Sequence, residues 1–226
     1  MGNRAPMGVR DESEVGKMHV QNSLNAMSAE QALGLMQTRR TVRPRNMTGP
    51  GPDAEQLEAI LNAAAHAPDH GRVQPWRLIQ VPPKARDALA QTFVDALLER
   101  EPDASEEQLL RAREKAHRSP ELLLIVAVRG DDAAFAESCT AAGCALQNML
   151  LAATALGFAS GLTSGGSLQS ASLRRFFRIS ESEHAICFLS LGTLAERGQK
   201  LRGERPCTSE YLSVLNTVDI PVGCAA

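Results

Sequence analysis

Residues 65–77 concentrate side chains that can do chemistry or recognise a ligand. They contain the only tryptophan, Trp76, two of the five histidines, His66 and His70, and two prolines. Because proline does not continue a helix, this stretch predicts a polar loop between a helix and the apolar strand 76–81. Functional residues are disproportionately found on connecting loops, so we expect this loop to contact a ligand.

The spacing of His66 and His70 is open to two further interpretations. Histidines four residues apart on a helix can bind a metal ion, with Asp69 as a neighbouring ligand. However, Pro68 breaks the helix that would align them, and the sequence places no third ligand. We therefore expect no metal site. The other interpretation is a pair of solvated loop histidines.

A second candidate site is the run Arg39, Arg40, Thr41 and Arg43, which places three cations within five residues after a predicted helix. Cations at this end of a helix complement the helix dipole, so a purely structural role is one interpretation. The other is anion recognition, because guanidinium and hydroxyl donors suit phosphate oxygens.

Two weaker candidates lie further along the chain. The glycine- and serine-rich segment 157–166 is either an ordinary turn or a loop whose backbone approaches a ligand, and it includes Leu162, Thr163 and Ser164. Lys200 and Arg202 form a short cationic pair within a charged loop.

The elements that position these residues follow from capping and periodicity. Three capping boxes, at 28–31, 53–56 and 105–108, predict helix starts. Apolar runs predict strands at 76–81, 122–128, 158–162 and 185–191, and a late strand at Tyr211–Leu215. Helices are expected at 133–156, rich in small residues, and at 170–178. Helices outnumber strands, so the sequence predicts a single layered domain of the α+β or α/β class.

Composition excludes several classes of protein. The formal net charge of −2 argues against nucleic-acid binding. The longest strictly apolar run, 122–128, is too short to span a membrane. No targeting segment is recognisable and the five cysteines form no C-x-x-C pair, so we expect free thiols and a cytoplasmic location. The fingerprints of Rossmann dehydrogenases, P-loop NTPases and α/β-hydrolases are absent.

The sequence resembles the FMN-dependent nitroreductase family at two places: the loop, with its motifs Ala-Pro-Asp-His and Gln-Pro-Trp, and the Arg39–Arg43 run. The loop is most similar to that of the small bacterial NAD(P)H nitroreductases of the YdjA type. The resemblance covers about residues 28–205. It implies an α+β fold of three layers, in which helices flank a central, mostly antiparallel sheet. Residues 1–27 are then a flexible N-terminal arm, and 206–226 a C-terminal extension that contacts a partner subunit.

The resemblance also implies the roles of individual residues, with FMN as cofactor. The Arg39–Arg43 segment, Arg40 included, would clamp FMN: Arg39 and Thr41 at the phosphate and ribityl chain, and Arg43 near the N1–O2 edge of the flavin. His66 and His70 match FMN-contacting positions. Leu162, Thr163 and Ser164 match a tripeptide beside the flavin ring, and Lys200 and Arg202 would complete the phosphate site. YdjA-type enzymes carry Trp-Arg-Ser at the tripeptide, a difference that concerns substrate preference more than the cofactor.

The implied activity is ping-pong transfer of hydride from NAD(P)H to FMN and then to a nitroaromatic, quinone or similar small-molecule acceptor. The cofactor supplies the chemistry, so no catalytic side chain is expected. The family resemblance further implies a homodimer with FMN at the subunit interface. Alternatives are a flavin-consuming or dehalogenating branch of the superfamily, a non-catalytic flavin-binding protein, and a helical scaffold without a chromophore.

Overall fold

The computed structural model describes residues 28–69, 71, 73–196 and 205–215. The predicted N-terminal arm 1–27 and the site candidates His70, Lys200 and Arg202 lie outside the described residues, as do residues 216–226 of the predicted extension.

Six helices and five strands are described. The helices are α1 (Ala29–Thr38), α2 (Ala54–Ala64), α3 (Arg86–Leu98), α4 (Glu106–Glu114), α5 (Asp132–Ala155) and α6 (Ala171–Phe176). The strands are β1 (Met47–Thr48), β2 (Trp76–Gln80), β3 (Glu121–Val128), β4 (Ala159–Thr163) and β5 (Glu183–Leu194). None of these helices is long and apolar enough to cross a membrane.

The three predicted capping boxes are confirmed. In each, the side chain of Ser28, Asp53 or Ser105 accepts a hydrogen bond from the backbone N–H three residues later, and the glutamine there bonds back to the cap. These reciprocal bonds satisfy backbone donors that have no partner inside the helix, and they therefore fix where α1, α2 and α4 begin.

The sheet is organised around β5, which pairs with three other strands. Residues 183–191 of β5 pair with β3, residues 188–192 with β4, and residues 193–194 with β1. Strand β2 pairs with β3, and all of these pairings are antiparallel. Strands joined in this way need no parallel crossover helices, which confirms the α+β class.

Alternation along β3 builds a core on each face of the sheet. Leu122, Leu124 and Val126 pack with residues of α3, α4 and α6 on one face. Leu123 and Ile125 pack with residues of α2 and α5 on the other face. Because successive strand residues point to opposite faces, a continuously apolar β3 requires a helical layer on both sides. The predicted three-layer architecture is confirmed.

The predicted strand Tyr211–Leu215 is wrong. A 3-10 helix spans Thr208–Glu210, and irregular chain follows up to residue 215. Tyr211 is 69% exposed and Val214 is 86% exposed, so this apolar run is buried against nothing in the described chain. Strand propensity alone does not make a strand, because ladder hydrogen bonds need a partner. Conversely, β5 continues to Leu194, where the sequence predicted loop, because β1 supplies such a partner.

An ion pair joins the start of β2 to the start of β5 and predicts acid sensitivity. Arg77 Nε lies 2.6 Å from Glu183 Oε1, and Arg77 Nη2 lies 3.1 Å from Oε2. The hydrogen bond from Arg77, with further bonds from Ser180, lowers the pKa of Glu183 to about 2. A lowered carboxyl pKa stabilises the fold above the unfolded pKa, and the stabilisation is lost as pH falls towards the folded pKa.

We therefore expect Glu183→Gln to lower the free energy of unfolding at pH 7 by about 1–2 kcal/mol, after allowance for solvent screening. In urea denaturation, the gap from wild type should shrink from pH 5 to pH 2. Glu107→Gln, which breaks the exposed Arg111–Glu107 pair within α4, is the control and should have a smaller effect. A gap for Glu183→Gln that is independent of pH would contradict this assignment.

Candidate functional site

The backbone of the Arg39–Arg43 run lies directly beside β4. Thr41 forms a parallel bridge with Ser160, and the Val42 N–H donates a hydrogen bond to the Ser160 carbonyl at 2.9 Å. These bonds join two segments about 120 residues apart in sequence. They bring the predicted cation run next to the strand that ends at Leu162–Thr163, two residues of the second predicted candidate.

Gly161 makes this close approach possible. A Cβ atom at this position would lie 2.1 Å from the Val42 carbonyl oxygen, a distance that no side chain can accept. A glycine within a strand often marks a place where another backbone comes close, and here the neighbour is the backbone of the cation run. The contact therefore depends on residue 161 having no side chain.

The cation run presents its donors at the surface. Arg39 caps the end of α1, and its Nη1 donates a hydrogen bond to Thr41 Oγ1 at 3.3 Å. Arg40, Thr41 and Arg43 are exposed. Arg205 reaches the same place, because its Nη2 donates to the Arg39 carbonyl at 3.3 Å. Arg205 is not a site candidate in the sequence pattern, and it is the fold that brings this cation to Arg39.

A cavity of about 240 Å³ opens beside the end of β4 and continues the same site. Thr163 and Ser164 line it together with Pro44, which directly follows Arg43. The remaining lining residues are two cations, two serines and four apolar side chains: Lys115, Arg118, Ser167, Ser190, Phe93, Leu122, Leu168 and Phe188. Leu162 is partly exposed and is not among the lining residues.

Lys115 and Arg118 are functional candidates that the sequence did not reveal. They belong to the 3-10 helix Lys115–His117 and the residue after it, in a stretch whose many charges indicated only a solvated helix. The pKa of Lys115 is lowered, first by partial burial and then by the charges of Arg118 and Arg100. No carboxylate lines this cavity in the part of the chain that the structure describes. Such a cavity favours an anion or the electron-rich edge of a ligand.

No described residue of the histidine loop 65–77 lines this cavity. His66 is an exposed residue in the turn after α2 and does not line the cavity at Lys115. The Gln74 N–H closes this loop by donating to Asp69 Oδ2 at 2.5 Å, with Gln74 held at a φ of 43°. Trp76 packs against the core cluster on the α2 and α5 face, as expected for a core residue.

The residues present fit a phosphorylated, flat cofactor. Guanidinium and hydroxyl groups at Arg39–Thr41 are phosphate donors, and Arg205 adds a further cation. The adjoining cavity combines cationic and hydroxyl side chains with phenylalanine and leucine side chains, which suits the polar edge of a ring system. The Gly161 contact places the phosphate donors and the cavity next to each other.

The fold is an α+β domain with a phosphate-type donor set beside a cationic cavity, and comparison with known proteins identifies its family. The sequence profile of the Nitroreductase family matches residues 36–193. The chain belongs to the nitroreductase family.

Individual relatives agree with this placement. A Haemophilus influenzae protein provisionally named NAD(P)H nitroreductase is 34% identical over 172 residues, covering 75% of this chain and 91% of the relative. The Escherichia coli K12 protein YdjA, with the same provisional name, is 30% identical over 72% of this chain and 87% of its own length. This confirms the predicted likeness to the YdjA type.

A solved structure supports the fold. The FMN-dependent nitroreductase NfnB from Mycobacterium smegmatis, solved in complex with NADPH, superposes with a TM-score of 0.64 at 21% identity. The match covers 82% of this chain and 98% of NfnB.

The Gly161 contact makes a direct prediction. We expect Gly161→Ala to lower the free energy of unfolding by about 1–3 kcal/mol, the range for overpacking a tight contact, because the methyl group must displace Val42. Amide exchange at Val42 should accelerate, since its bond to Ser160 is broken. The control is Gly34→Ala in α1, where an added Cβ meets no atom within 4 Å and should instead stabilise the helix. Equal effects of the two substitutions would contradict the close approach.

Proposed function

We propose that this protein is an FMN-dependent oxidoreductase that uses NAD(P)H to reduce a nitroaromatic, quinone or similar acceptor. The main observation behind the proposal is the contact of Thr41–Val42 with Ser160–Gly161. This contact places hydrogen-bond donors suited to a phosphate next to a cavity that is lined by cations. Membership of the nitroreductase family and the named cofactors of NfnB support the same assignment.

The phosphate end of FMN lies at the cation run. Arg39, Arg40 and Thr41 hold the phosphate and ribityl chain, and Arg205 joins them from the C-terminal segment. Lys200 and Arg202 remain proposed members of this end from the family pattern. Bonds between a guanidinium and a phosphate are charge-assisted, so each contributes more than a neutral hydrogen bond.

The pyrimidine edge of the flavin lies at the cavity. Arg43 precedes the lining residue Pro44, and Lys115 and Arg118 line the same cavity as Thr163 and Ser164. Fixed positive charge stabilises the negative charge that reduction places on this edge, and it therefore raises the midpoint potential of the flavin. Leu162, Thr163 and Ser164 present backbone groups to the ring.

When bound, FMN would accept hydride from NAD(P)H and then reduce the acceptor in a second, ping-pong half-reaction. The chain itself binds and orients the cofactor and sets its electrostatic surroundings. No side chain need act as an acid or base, and we assign no catalytic residue.

A homodimer completes the site. His66 is exposed and does not line the cavity of its own subunit, so we propose that His66 and His70 contact the FMN held mainly by the partner subunit. The apolar surface available for such a dimer is extensive. Helix α1 has no buried residue, with Leu33 55% and Met36 53% exposed, and the apolar side chains of 211–215 are also uncovered.

Two substitutions test the proposed phosphate end and the proposed ring end of the FMN site separately. Arg39→Ala should weaken FMN binding about ten- to a hundredfold, the loss expected for a charge-assisted bond. Arg43→Ala should lower the midpoint potential of the bound flavin. Titration with FMN and redox titration measure these effects, and Arg45→Ala is the control, because Arg45 is an exposed cation that lines neither end.

The colour and the turnover of the purified wild-type protein distinguish the alternative functions. A yellow protein that oxidises NADH or NADPH with a nitroaromatic acceptor, giving parallel double-reciprocal lines, supports the proposal. A yellow protein without turnover is a flavin-binding protein. A colourless protein that takes up no added FMN contradicts the proposal altogether.

Truncation tests the dimer. A chain ending before Thr208 removes the exposed apolar segment, and we expect it to weaken dimerisation and FMN retention together. Light scattering at low micromolar concentration, followed by flavin content after gel filtration, measures both. A full-length monomer that retains FMN and turns over would contradict the shared site.

A further inference from the structure

Arg86 is the charged residue that the described part of the chain buries most completely. It lies at the start of α3 and is 6% exposed. Its guanidinium donates to three backbone carbonyls: Nε to Val81 at 3.0 Å, Nη1 to Ala116 at 2.8 Å and Nη2 to Pro120 at 3.2 Å. A buried charge is tolerated only when such partners replace water.

The three carbonyls belong to three different segments. Val81 follows β2, Ala116 lies in the 3-10 helix Lys115–His117, and Pro120 precedes β3. Two of them flank the cationic wall of the cavity: Ala116 directly follows Lys115, and Arg118 lies between Ala116 and Pro120. The segment that presents both cations to the cavity is therefore anchored to the core by one side chain, that of Arg86.

This segment needs an anchor because its charges repel one another. Arg118 and Arg100 both act electrostatically on Lys115 and disfavour its charged form. The partners of Arg118 are at long range: its Nη2 lies 3.5 Å from Glu114 Oε2 and donates to the Arg111 carbonyl at 3.4 Å. Like charges held close together favour a rearrangement that separates them, unless the backbone that carries them is fixed. The planar fork of Arg86 reaches the three carbonyls from three separate nitrogens, whereas the donors of a lysine all lie on one nitrogen.

We propose that Arg86 is a positioning residue for the cofactor site: it acts through Lys115 and Arg118, and so sets both the affinity for FMN and the midpoint potential of the bound flavin. This inference rests on the proposed function. It adds a determinant in the core that touches neither the cofactor nor the substrate.

The test compares Arg86→Gln and Arg86→Lys with a matched destabilising control. Ile60→Ala is that control, because Ile60 is fully buried in α2 on the opposite face of the sheet. For each full-length variant we would measure the thermal midpoint, the FMN dissociation constant, the midpoint potential, and hydrogen exchange over residues 113–120 without FMN. Lys115→Met and Arg118→Gln report the direct effect of removing each cation.

We expect Arg86→Gln to raise the FMN dissociation constant about tenfold or more, to lower the midpoint potential and to accelerate exchange over 113–120. Arg86→Lys should be intermediate, because it keeps the charge but loses part of the fork. Ile60→Ala should lower the thermal midpoint without shifting the potential or the exchange of 113–120.

Two results would overturn the inference. If Arg86→Gln and Ile60→Ala behave alike, with unchanged affinity and potential, Arg86 has only a structural role. The proposed function then still stands, provided that Lys115→Met or Arg118→Gln weakens FMN binding. If the wild-type protein binds no FMN, the proposed function fails and this inference fails with it.

Discussion

Strand β5 is the element on which the rest of the structure depends, since β1, β3 and β4 all take their register from it. Where these neighbours converge, side chains must be small. A Cβ on Gly192 would lie 2.7 Å from Pro120 and 3.1 Å from the Thr48 carbonyl, so glycine lets β1 and the start of β3 approach β5 together. Through β4, the same strand positions Ser160 and Gly161, and with them the cation run. The site is thus assembled by backbone contacts, and its side chains need only project from them.

The distribution of charge follows from this assembly. The chain carries a formal net charge of −2, yet the described lining of the cavity holds cations and no carboxylate. Many acidic residues serve helix ends instead: Glu30 and Glu55 lie in first turns, and Glu99 accepts from the N–H groups of Ala171 and Ser172 at the start of α6. Carboxylates at these ends are stabilised by the helix dipole. The described lining of the cavity is consequently positively charged, which favours an anionic ligand.

Local signals explain what the sequence could predict. Capping boxes located three helix starts, and the continuous apolar run 122–128 located β3, because both signals lie in residues that are close together in sequence. Contacts between residues that are far apart in the chain could not be predicted from the sequence. Arg86 and Lys115 looked like ordinary cations of charged segments, and only the fold buries the first and brings the second to Thr163 and Ser164. The Tyr211–Leu215 error has the same origin, since apolar alternation does not supply a strand partner. The Gly161 contact was visible in sequence only as part of a glycine-rich turn.

We propose that one continuous site, joined at Gly161, holds the FMN phosphate at the cation run and the flavin edge at the cavity. A crystal structure of the protein with bound FMN tests this arrangement. We expect difference density with the phosphate at Arg39 and Thr41 and with the pyrimidine edge facing Thr163, Lys115 and Arg118. We also expect His66 of a second subunit to lie against the same flavin. FMN bound at another surface, or with its phosphate in the cavity and its ring at the cation run, would contradict it.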